Sequence, residues 1–352
     1  MWKVNLRVGI ITDQYPSSRN PDRGTFVRDL VDHLRSAKVD VAVIDHAKNF
    51  AAMSLECLIR STGLDIFDAQ FIAPAGVVAA LTPRAAPLVI TVHRWDVLEF
   101  PYRWPMAAAA TRLALRSARG IIAVGHAILS EVTRFVTSSS RIVTIPNAVD
   151  TKRFGPHVQS VSLKRTLGIP EDHRVILSVG HLIPRKGFQY LMRAMSDVLR
   201  RFDACSLVIA GRGPLRDELH GLGNELRLGG KLKLIGVVDE STLPSLYAMS
   251  DIFVMPSFSE GHCVSILEAM SSAKPIVASA IPGNAESVAH GQNGFLVCPG
   301  DVAALADATV RLLRDEALRE KLGRNSRERA VMQFGWDLKV RRLVDFYESA
   351  IT

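Results

Sequence analysis

Two glutamates, Glu260 and Glu268, lie on either side of a glycine-bearing turn and a helix start. The turn follows the apolar run 251–255 and a Pro256-Ser257 break, so the order predicts a strand, a turn and then a helix. Such a turn directs backbone N–H groups and the positive end of a helix dipole at a ligand, which suits phosphate. Carboxylates accept hydrogen bonds from sugar hydroxyls. A site that offers both groups indicates a sugar nucleotide as ligand.

The same spacing also fits an ordinary surface helix. Two acids eight residues apart occur on the solvated faces of many helices. The spacing alone does not separate this interpretation from a binding site, and the neighbouring motifs decide between them.

Two adjacent cations, Arg185 and Lys186, lie between the apolar run 175–179 and an amphipathic segment at 188–199. A guanidinium can bind two phosphate oxygens at once while an ammonium supplies a point charge, so the pair suits a diphosphate. Cations on a loop are more often solvated. Their position after a buried strand, where α/β folds bind ligands, favours a functional role.

Two features of the first half also follow strands. Gly24 precedes a helix, where it lets the backbone approach a ligand, although an ordinary glycine turn explains it equally well. His93 directly follows the run 88–92. A lone histidine is more often structural, but a position at the end of a strand, where α/β folds bind ligands, favours a functional role.

Apolar runs and amphipathic segments alternate along the whole chain, which predicts doubly wound α/β layers. Most runs are short and continuously apolar, as in strands buried on both faces of a parallel sheet. The first series of predicted strands is 4–11, 39–44, 66–72, 88–92, 120–124 and 142–145. The second series is 175–179, 206–210, 232–235, 252–255, 275–278 and 294–297.

A polar stretch at 146–160 with prolines, asparagine and glycine separates the two series and has linker composition. We expect a first domain at 1–155, a second at 156–335, and a C-terminal helix at 336–352 that packs back on the first. A ligand is then expected in the cleft between two Rossmann-like domains, at the strand ends.

Composition narrows the class of protein further. The 352 residues suit two cores, and the first residues read as a strand without the cleavage site of a signal peptide. No stretch of 18 or more uncharged apolar residues occurs, and four dispersed cysteines fit reduced thiols in the cytosol. The net charge of +8 is spread along the chain without a basic block, which argues against a nucleic-acid partner.

These motifs together resemble the retaining family 4 glycosyltransferases of GT-B fold, whose signature is E-x7-E followed by A-M. Glu260, Glu268 and the pair Ala269-Met270 match it. The segment 180–187 is similar to the family's G-R-L…K-G, with His181 in place of the arginine, and 210–215 also agrees. The segment 91–96 is similar to T-x-H-G-x-D, with Arg94 in place of the glycine, and Cys263 replaces a common glycine.

The resemblance implies retaining transfer of a sugar from a nucleoside diphosphate, with Glu268 at the ribose, Glu260 by the sugar and His93 near the transferred group. The expected catalytic residues are His93, Arg185, Lys186 and Glu260. The expected donor-binding residues are Gly24, Gly180, His181, Arg185, Lys186, Gly187, Gly211, Gly261, His262, Cys263, Val264 and Glu268. The expected acceptor-side residues are Thr25, Arg94 and Asp96.

No cofactor is expected, because the nucleotide sugar is a co-substrate, and no metal, because the chain has no D-x-D motif. The diphosphate is then neutralised by protein cations and amides. A sugar-nucleotide epimerase of GT-B type and a non-catalytic sugar-binding scaffold are the alternatives.

The expected acceptor is a hydroxyl of a glycan or a lipid-linked molecule, in cell-surface polysaccharide or glycoconjugate synthesis. The expected location is the cytoplasm, with peripheral contact to the anionic inner face of the membrane. A cluster that suits such contact contains Trp95, Phe100, Tyr102, Trp104, Arg103, Arg112, Arg116 and Arg119. Core aromatics beside solvated arginines explain the same cluster.

Overall fold

The computed structural model describes residues 6–17, 23–45, 49–136, 141–158 and 163–352. The chain divides into two compact units. Unit 1 comprises residues 1–146 and 336–352, and unit 2 comprises residues 147–335. Each unit contains one parallel sheet of six strands.

Unit 1 has the strand order β2-β1-β3-β4-β5-β6. Its strands are β1 (Arg7–Thr12), β2 (Asp40–Asp45), β3 (Ile66–Gln70), β4 (Leu88–Val92), β5 (Gly120–Ala123) and β6 (Ile142–Thr144). Its first six helices are α1 (Thr25–Ser36), α2 (Phe50–Arg60), α3 (Val77–Leu81), α4 (Arg94–Leu98), α5 (Ala107–Ser117) and α6 (His126–Val132). Unit 1 also has an irregular turn at Ile72–Gly76, in which Ala73 is extended, and a 3₁₀ turn at Phe100–Tyr102.

Unit 2 has the strand order β12-β11-β10-β7-β8-β9. The helix α7 (Leu163–Thr166) precedes its strands β7 (Arg174–Val179), β8 (Cys205–Ala210), β9 (Leu232–Gly236), β10 (Ile252–Met255), β11 (Ile276–Ser279) and β12 (Gly294–Val297). The other helices are α8 (Phe188–Arg201), α9 (Arg216–Glu225), α10 (Leu243–Met249), α11 (Val264–Ser271), α12 (Pro282–Ala285), α13 (Val302–Arg314) and α14 (Glu316–Phe334). Short 3₁₀ turns lie at Pro184–Lys186 and Gly229–Lys231.

Burial explains why the strands read as continuous apolar runs. Every residue of β3, β4 and β5 is buried, as is every residue of β8, β10 and β11, because helices cover both faces of each sheet. The strands β6 and β9 are only half-buried, because they lie at sheet edges.

The predicted strands correspond to β1 to β12, with shifts of one or two residues at their ends. For the first of them, Val4 and Asn5 lie outside the described residues. The predicted run 66–72 ends earlier, at Gln70, because Phe71 takes a φ of 83°, which no strand residue adopts.

The chain passes into unit 2 before the predicted boundary near residue 155. Val149 and Phe154 pack in the hydrophobic core of unit 2, and Val149 bridges to Gly335. The apolar side chains of this segment, rather than its prolines and glycine, decide where the first unit ends. The rest of the predicted linker, residues 159 and 160, lies outside the described residues.

The last helix, α15 (Trp336–Ile351), belongs to unit 1. The ring of Phe346 lies so close to Gly120 of β5 that a Cβ added there would be 2.7 Å from Phe346 Cζ. The Trp336 ring stacks on His33 of α1 with 4.4 Å between centroids. Helix and sheet therefore share one core, in which Gly120 provides the space.

We expect Gly120→Ala to lower the free energy of unfolding by about 1 to 3 kcal/mol, because an added methyl group overpacks the contact with α15. Chemical denaturation measures the loss. The matched control is Gly63→Ala, where the nearest atom, Arg60 O, would be 3.7 Å away and where little change is expected. Equal unfolding midpoints for the two variants would contradict the packing described.

Candidate functional site

In unit 2, two loops at the carboxyl ends of neighbouring strands are joined by their backbones. One follows β7 and carries Arg185 and Lys186; the other follows β10. The Phe258 N–H donates to Arg185 O at 2.7 Å. Gly187 has a φ of 68°, and a Cβ there would lie 2.2 Å from Pro256 O. Only glycine allows this approach, so the sequence Lys-Gly sets the distance between the loops.

The joined loops bring three charged side chains together. Lys186 Nζ lies 2.7 Å from Glu260 Oε1, and Arg185 Nη1 lies 3.4 Å from Glu260 Oε2. Arg185 Nη1 also donates to Ser259 O at 3.1 Å. We call these residues, Arg185, Lys186 and Glu260, the charge cluster. Its two cations and one carboxylate leave a net positive charge, which suits an anionic ligand.

The charges of Lys186 and Glu260 in the charge cluster interact strongly because both side chains are buried. Lys186 is 8% exposed, and the Glu260 side chain is buried to the same degree. Burial by itself lowers the pKa of Lys186, but the Glu260 carboxylate outweighs it and the pKa is raised. Cations on a loop are more often solvated, but Lys186 is not. Because the pair is buried, removal of one partner leaves a charge without compensation.

Glu268 lies on the helix that follows the second loop, as the sequence predicted, and has a partner that the sequence did not reveal. The Tyr247 hydroxyl of α10 donates to Glu268 Oε2 at 2.6 Å. Burial and the Glu268 charge raise the pKa of Tyr247 well above its ordinary value, so the hydroxyl stays protonated. The half-buried Glu268 carboxylate is thus held by a permanent donor from a neighbouring helix.

The turn before α11 contains the other predicted donor residues of this loop. Cys263 is the N-cap of α11, and its side chain does not cap the backbone at the helix start. The first backbone N–H groups of the helix therefore have no side-chain cap. His262 is buried, with Nε2 3.0 Å from Ser287 Oγ and its ring against Phe334, so only its backbone faces the turn. Gly261 is buried and Val264 is half-buried.

The remaining predicted donor residues of unit 2 lie on the loops after β7 and β8. Gly180 packs against the Lys186 stem, with 3.4 Å between a Cβ built there and Lys186 Cε. Gly211 approaches the Gly180 carbonyl, so these two loops also touch. His181, the residue in the place of an arginine, is exposed.

In unit 1, His93 directly follows β4 and is the N-cap of α4. Its ring centroid lies 5.1 Å from that of Phe26 and 4.5 Å from that of Phe71. Phe26 follows Gly24 and Thr25 at the start of α1, so the glycine loop and the histidine lie close together. Of that loop, residues 18–22 lie outside the described residues.

Gly24 has a φ of 62°, and Thr25 is half-buried. Arg94 forms an ion pair with Glu99. It thus has a surface partner that the predicted acceptor role did not include.

Asp96, predicted on the acceptor side, is instead fully buried. Its Oδ2 accepts from the His93 N–H at 2.7 Å and its Oδ1 from the Ile72 N–H at 3.1 Å. The carboxyl group joins the segment after β4 to the turn at Ile72–Gly76 and holds the backbone of His93. The pattern of an acid three residues after an N-cap was the available signal for this capping role.

The described residues contain no group of three side chains that could hold a metal ion. None of the helices in the described part of the chain is long and apolar enough to cross a membrane.

Comparison with known proteins agrees with this geometry. Residues 161–329 match the model of the glycosyl transferases group 1, and residues 49–153 match that of glycosyltransferase family 4. The chain is 32% identical over 235 residues to an uncharacterized glycosyltransferase of Methanocaldococcus jannaschii, covering 66% of this chain and 60% of that protein.

Two further proteins extend the comparison. Identity is 28% over 287 residues to the GDP-mannose-dependent alpha-(1-6)-phosphatidylinositol monomannoside mannosyltransferase of Mycobacterium tuberculosis, covering 77% of this chain and 73% of that protein. Anabaena HepE in complex with UDP and glucose superposes with a TM-score of 0.83 at 22% identity, over 98% of this chain and all of that one.

The chain therefore belongs to the group 1 glycosyl transferases, the retaining family 4 of glycosyltransferases, and has the GT-B fold of two Rossmann-like domains. The predicted family and fold class are confirmed.

Burial raises the pKa of Asp96 to about 8. Because the folded-state pKa lies above the unfolded one, Asp96 should make the free energy of unfolding fall as pH rises from about 4 to about 8, at up to ~1.4 kcal/mol per pH unit. We expect Asp96→Asn to lack this fall. The free energy of unfolding of the wild type minus that of the variant should therefore decline as pH rises.

Denaturation of both proteins between pH 5.5 and 8 measures this difference. Asp96→Ala is the second comparison, and should be about 1 to 3 kcal/mol less stable than Asp96→Asn at every pH, because alanine offers the buried N–H groups no acceptor. A difference between wild type and Asp96→Asn that stays constant or grows with pH would show that Asp96 is ionised in the fold.

Proposed function

We propose that the protein transfers a sugar from a nucleoside-diphosphate sugar to a hydroxyl of a glycan or lipid-linked acceptor. The observation that supports this proposal is the charge cluster. Its two cations follow one strand of the parallel sheet and share one buried carboxylate that follows the neighbouring strand. In α/β folds this edge binds the ligand. The names of two similar proteins, which refer to GDP-mannose and to UDP with glucose, support a nucleotide sugar as donor.

The leaving diphosphate must be stabilised as its bond to the sugar breaks. In this proposal Arg185 and Lys186 face the diphosphate, together with the N–H groups at the start of α11. Glu260 keeps the Lys186 ammonium in a fixed orientation and lies by the sugar. Because the cations are already oriented, little reorganisation is needed when negative charge develops.

Glu268 is proposed to bind the ribose hydroxyls. The Tyr247 hydrogen bond occupies one carboxylate oxygen and fixes the plane of the group. Two ribose hydroxyls can then be recognised by an acceptor that does not have to be ordered on binding. This role concerns nucleotide affinity, whereas Glu260 and Lys186 act on the rate.

An anionic membrane surface is proposed as the place where unit 1 meets a lipid-linked acceptor. The structure changes the set of residues for this contact, because Trp95 and Phe100 pack together in a small core beside Ala73 and Ala107. Tyr102 and Trp104 of the expected cluster are exposed, together with other large apolar side chains of unit 1. These are Phe50, Leu55, Leu58 and Ile59 of α2, Leu81, Met106, Leu113 and Ile351.

Charge supports the same proposal. Between residues 69 and 130 the acids are Asp96, which is buried, and Glu99, which pairs with Arg94. Four further arginines of this region, at 103, 112, 116 and 119, are exposed. Exposed apolar side chains together with unopposed positive charge suit an anionic bilayer.

Lys186→Ala should lower transfer by about a hundredfold, because a preoriented cation at the leaving group is removed. Turnover is measured with UDP, GDP and ADP sugars by mass spectrometry of acceptor products and of free sugar. Lys321→Ala, an exposed lysine of α14, is the matched control and should be unaffected.

Since Lys186→Ala leaves a buried Glu260 charge, the double variant Lys186→Met/Glu260→Gln tests activity without that strain. Wild-type turnover in either folded variant would refute the diphosphate assignment. Release of an epimerised donor without acceptor would indicate the epimerase, and binding of nucleotide sugar without any turnover would indicate the scaffold. Loss of activity in excess chelator, restored by a divalent ion, would show that a metal shares the neutralisation.

For the membrane, Leu58→Ser/Ile59→Ser should reduce sedimentation with vesicles of phosphatidylglycerol and phosphatidylcholine. Arg112→Gln/Arg116→Gln should weaken it by about 1 kcal/mol per arginine, and added salt should act in the same direction. The matched control is Val331→Ser/Met332→Ser, which removes exposed apolar groups of unit 2. Equal sedimentation of all variants, or none with wild type, would remove this proposal.

A further inference from the structure

A chain of buried hydrogen bonds connects the C-terminal helix of unit 1 to His93. The Tyr347 hydroxyl of α15 donates to Asp68 Oδ2 at 2.6 Å, and the Gln70 amide donates to the same oxygen at 2.9 Å. Thr91 Oγ1 donates to Asp68 Oδ1 at 2.8 Å. Gln70 Oε1 lies 3.2 Å from His93 Nε2. Apart from His93, each of these side chains is at most 5% exposed.

The donors and acceptors of this chain determine which ring nitrogen of His93 carries the proton. An ionised carboxylate only accepts, so the NH₂ group of Gln70 must face Asp68. The Gln70 oxygen therefore faces His93, and Nε2 must be the donor. The neutral tautomer with its proton on Nε2 satisfies this contact.

Packing prevents the ring from leaving this arrangement. Phe26 contacts the imidazole edge-on, and Phe71 packs on it at 4.5 Å between centroids. Phe71 takes a φ of 83°, a conformation that costs energy for a residue with a large side chain and that recurs at functional sites. The residue that directly follows Gln70 is thus held in a strained conformation against the histidine.

The ionisable groups around this chain keep His93 neutral. Burial, and then the charge of Lys339 on α15, lower the pKa of His93 to about 3. Burial raises the pKa of Asp68 to about 6, so at neutral pH this group is mostly the carboxylate that accepts the three hydrogen bonds. Asp96 accepts from the His93 N–H, and Asp13, whose charge acts on Asp96, pairs with Arg23 at 3.4 Å.

We propose that Gln70 is a positioning residue for His93. Held by Asp68 and by the Tyr347 hydroxyl of the C-terminal helix, it keeps the imidazole in one orientation, with the proton on Nε2. His93 then serves the reaction as a fixed, neutral polar group and not as a proton acceptor. The part of this inference that concerns sugar transfer rests on the proposed function, whereas the orientation and the tautomer do not.

The first test measures the tautomer directly. Long-range ¹H–¹⁵N NMR of the full chain, labelled at histidine nitrogens and assigned with His93→Asn, should show a neutral ring protonated on Nε2 from pH 6 to pH 8. Gln70→Leu should abolish this fixed state, whereas Gln70→Glu, which keeps an acceptor for Nε2–H, should retain the Nε2 proton. A proton on Nδ1 in wild type, a charged ring at pH 6, or an unchanged signal in Gln70→Leu would overturn the proposal.

The second test measures the consequence for transfer. Gln70→Leu should lower kcat on the order of ten- to hundredfold through misplacement of His93, with little change in KM for the donor. Tyr347→Phe should lower kcat less, because Thr91 and Gln70 still hold Asp68. This variant replaces Gln70→Leu in the test if Gln70→Leu does not fold. The control Thr111→Val loses the buried Oγ1 hydrogen bond to Ala107 O, distant in the sequence from this chain, and should leave kcat and the NMR signal unchanged.

The outcomes separate this inference from the proposed function. The expected NMR result with no glycosyl transfer by wild type on any donor would contradict the proposed function and leave the orientation established. Transfer by wild type with unchanged kcat in Gln70→Leu would overturn the positioning role alone. A loss of kcat in Thr111→Val equal to that in Gln70→Leu would show a general effect of stability, and would also overturn it.

Discussion

The buried ion pair between Lys186 and Glu260 is the interaction on which the candidate donor site depends. Taking two charges out of water is expensive, and their attraction offsets this cost only when the geometry is good and hydrogen bonds complete it. Here the geometry comes from two loops tied by the Phe258 N–H and by the close approach at Gly187. The two loops of the candidate site are therefore joined by their backbones and also by Lys186 and Glu260, the side chains that we propose act on the substrate.

In unit 1, buried polar groups around His93 are held by hydrogen bonds. Its polar side chains near His93 are buried, and each needs a partner because an unsatisfied polar group in a protein interior is costly. Asp68 accepts hydrogen bonds from three side chains, and Asp96 accepts from two backbone N–H groups. The result is a rigid environment in which a histidine keeps one protonation state. The donor loops of unit 2 thus present charge, whereas the His93 region of unit 1 presents fixed hydrogen bonds.

The differences from the family pattern lie at three positions, and the structure gives them different significance. Arg94 is engaged with Glu99, His181 is exposed on its loop, and Cys263 begins α11. All three changes occur in segments that follow strands, where a side chain can change without disturbing a sheet. The shared fold with other family members is therefore compatible with a different substrate, because the sheets determine the fold and the loops determine recognition.

The sequence by itself determined the two α/β layers, the family, and the segments that carry Arg185, Lys186, Glu260 and Glu268. This was possible because hydrophobic periodicity and motif spacing are local properties of the chain. It did not determine that Lys186 pairs with Glu260, that Tyr247 holds Glu268, or that Asp96 is buried. Such partners lie far apart in the sequence, and only the packing of strands and helices decides which polar groups lose water and which neighbours replace it.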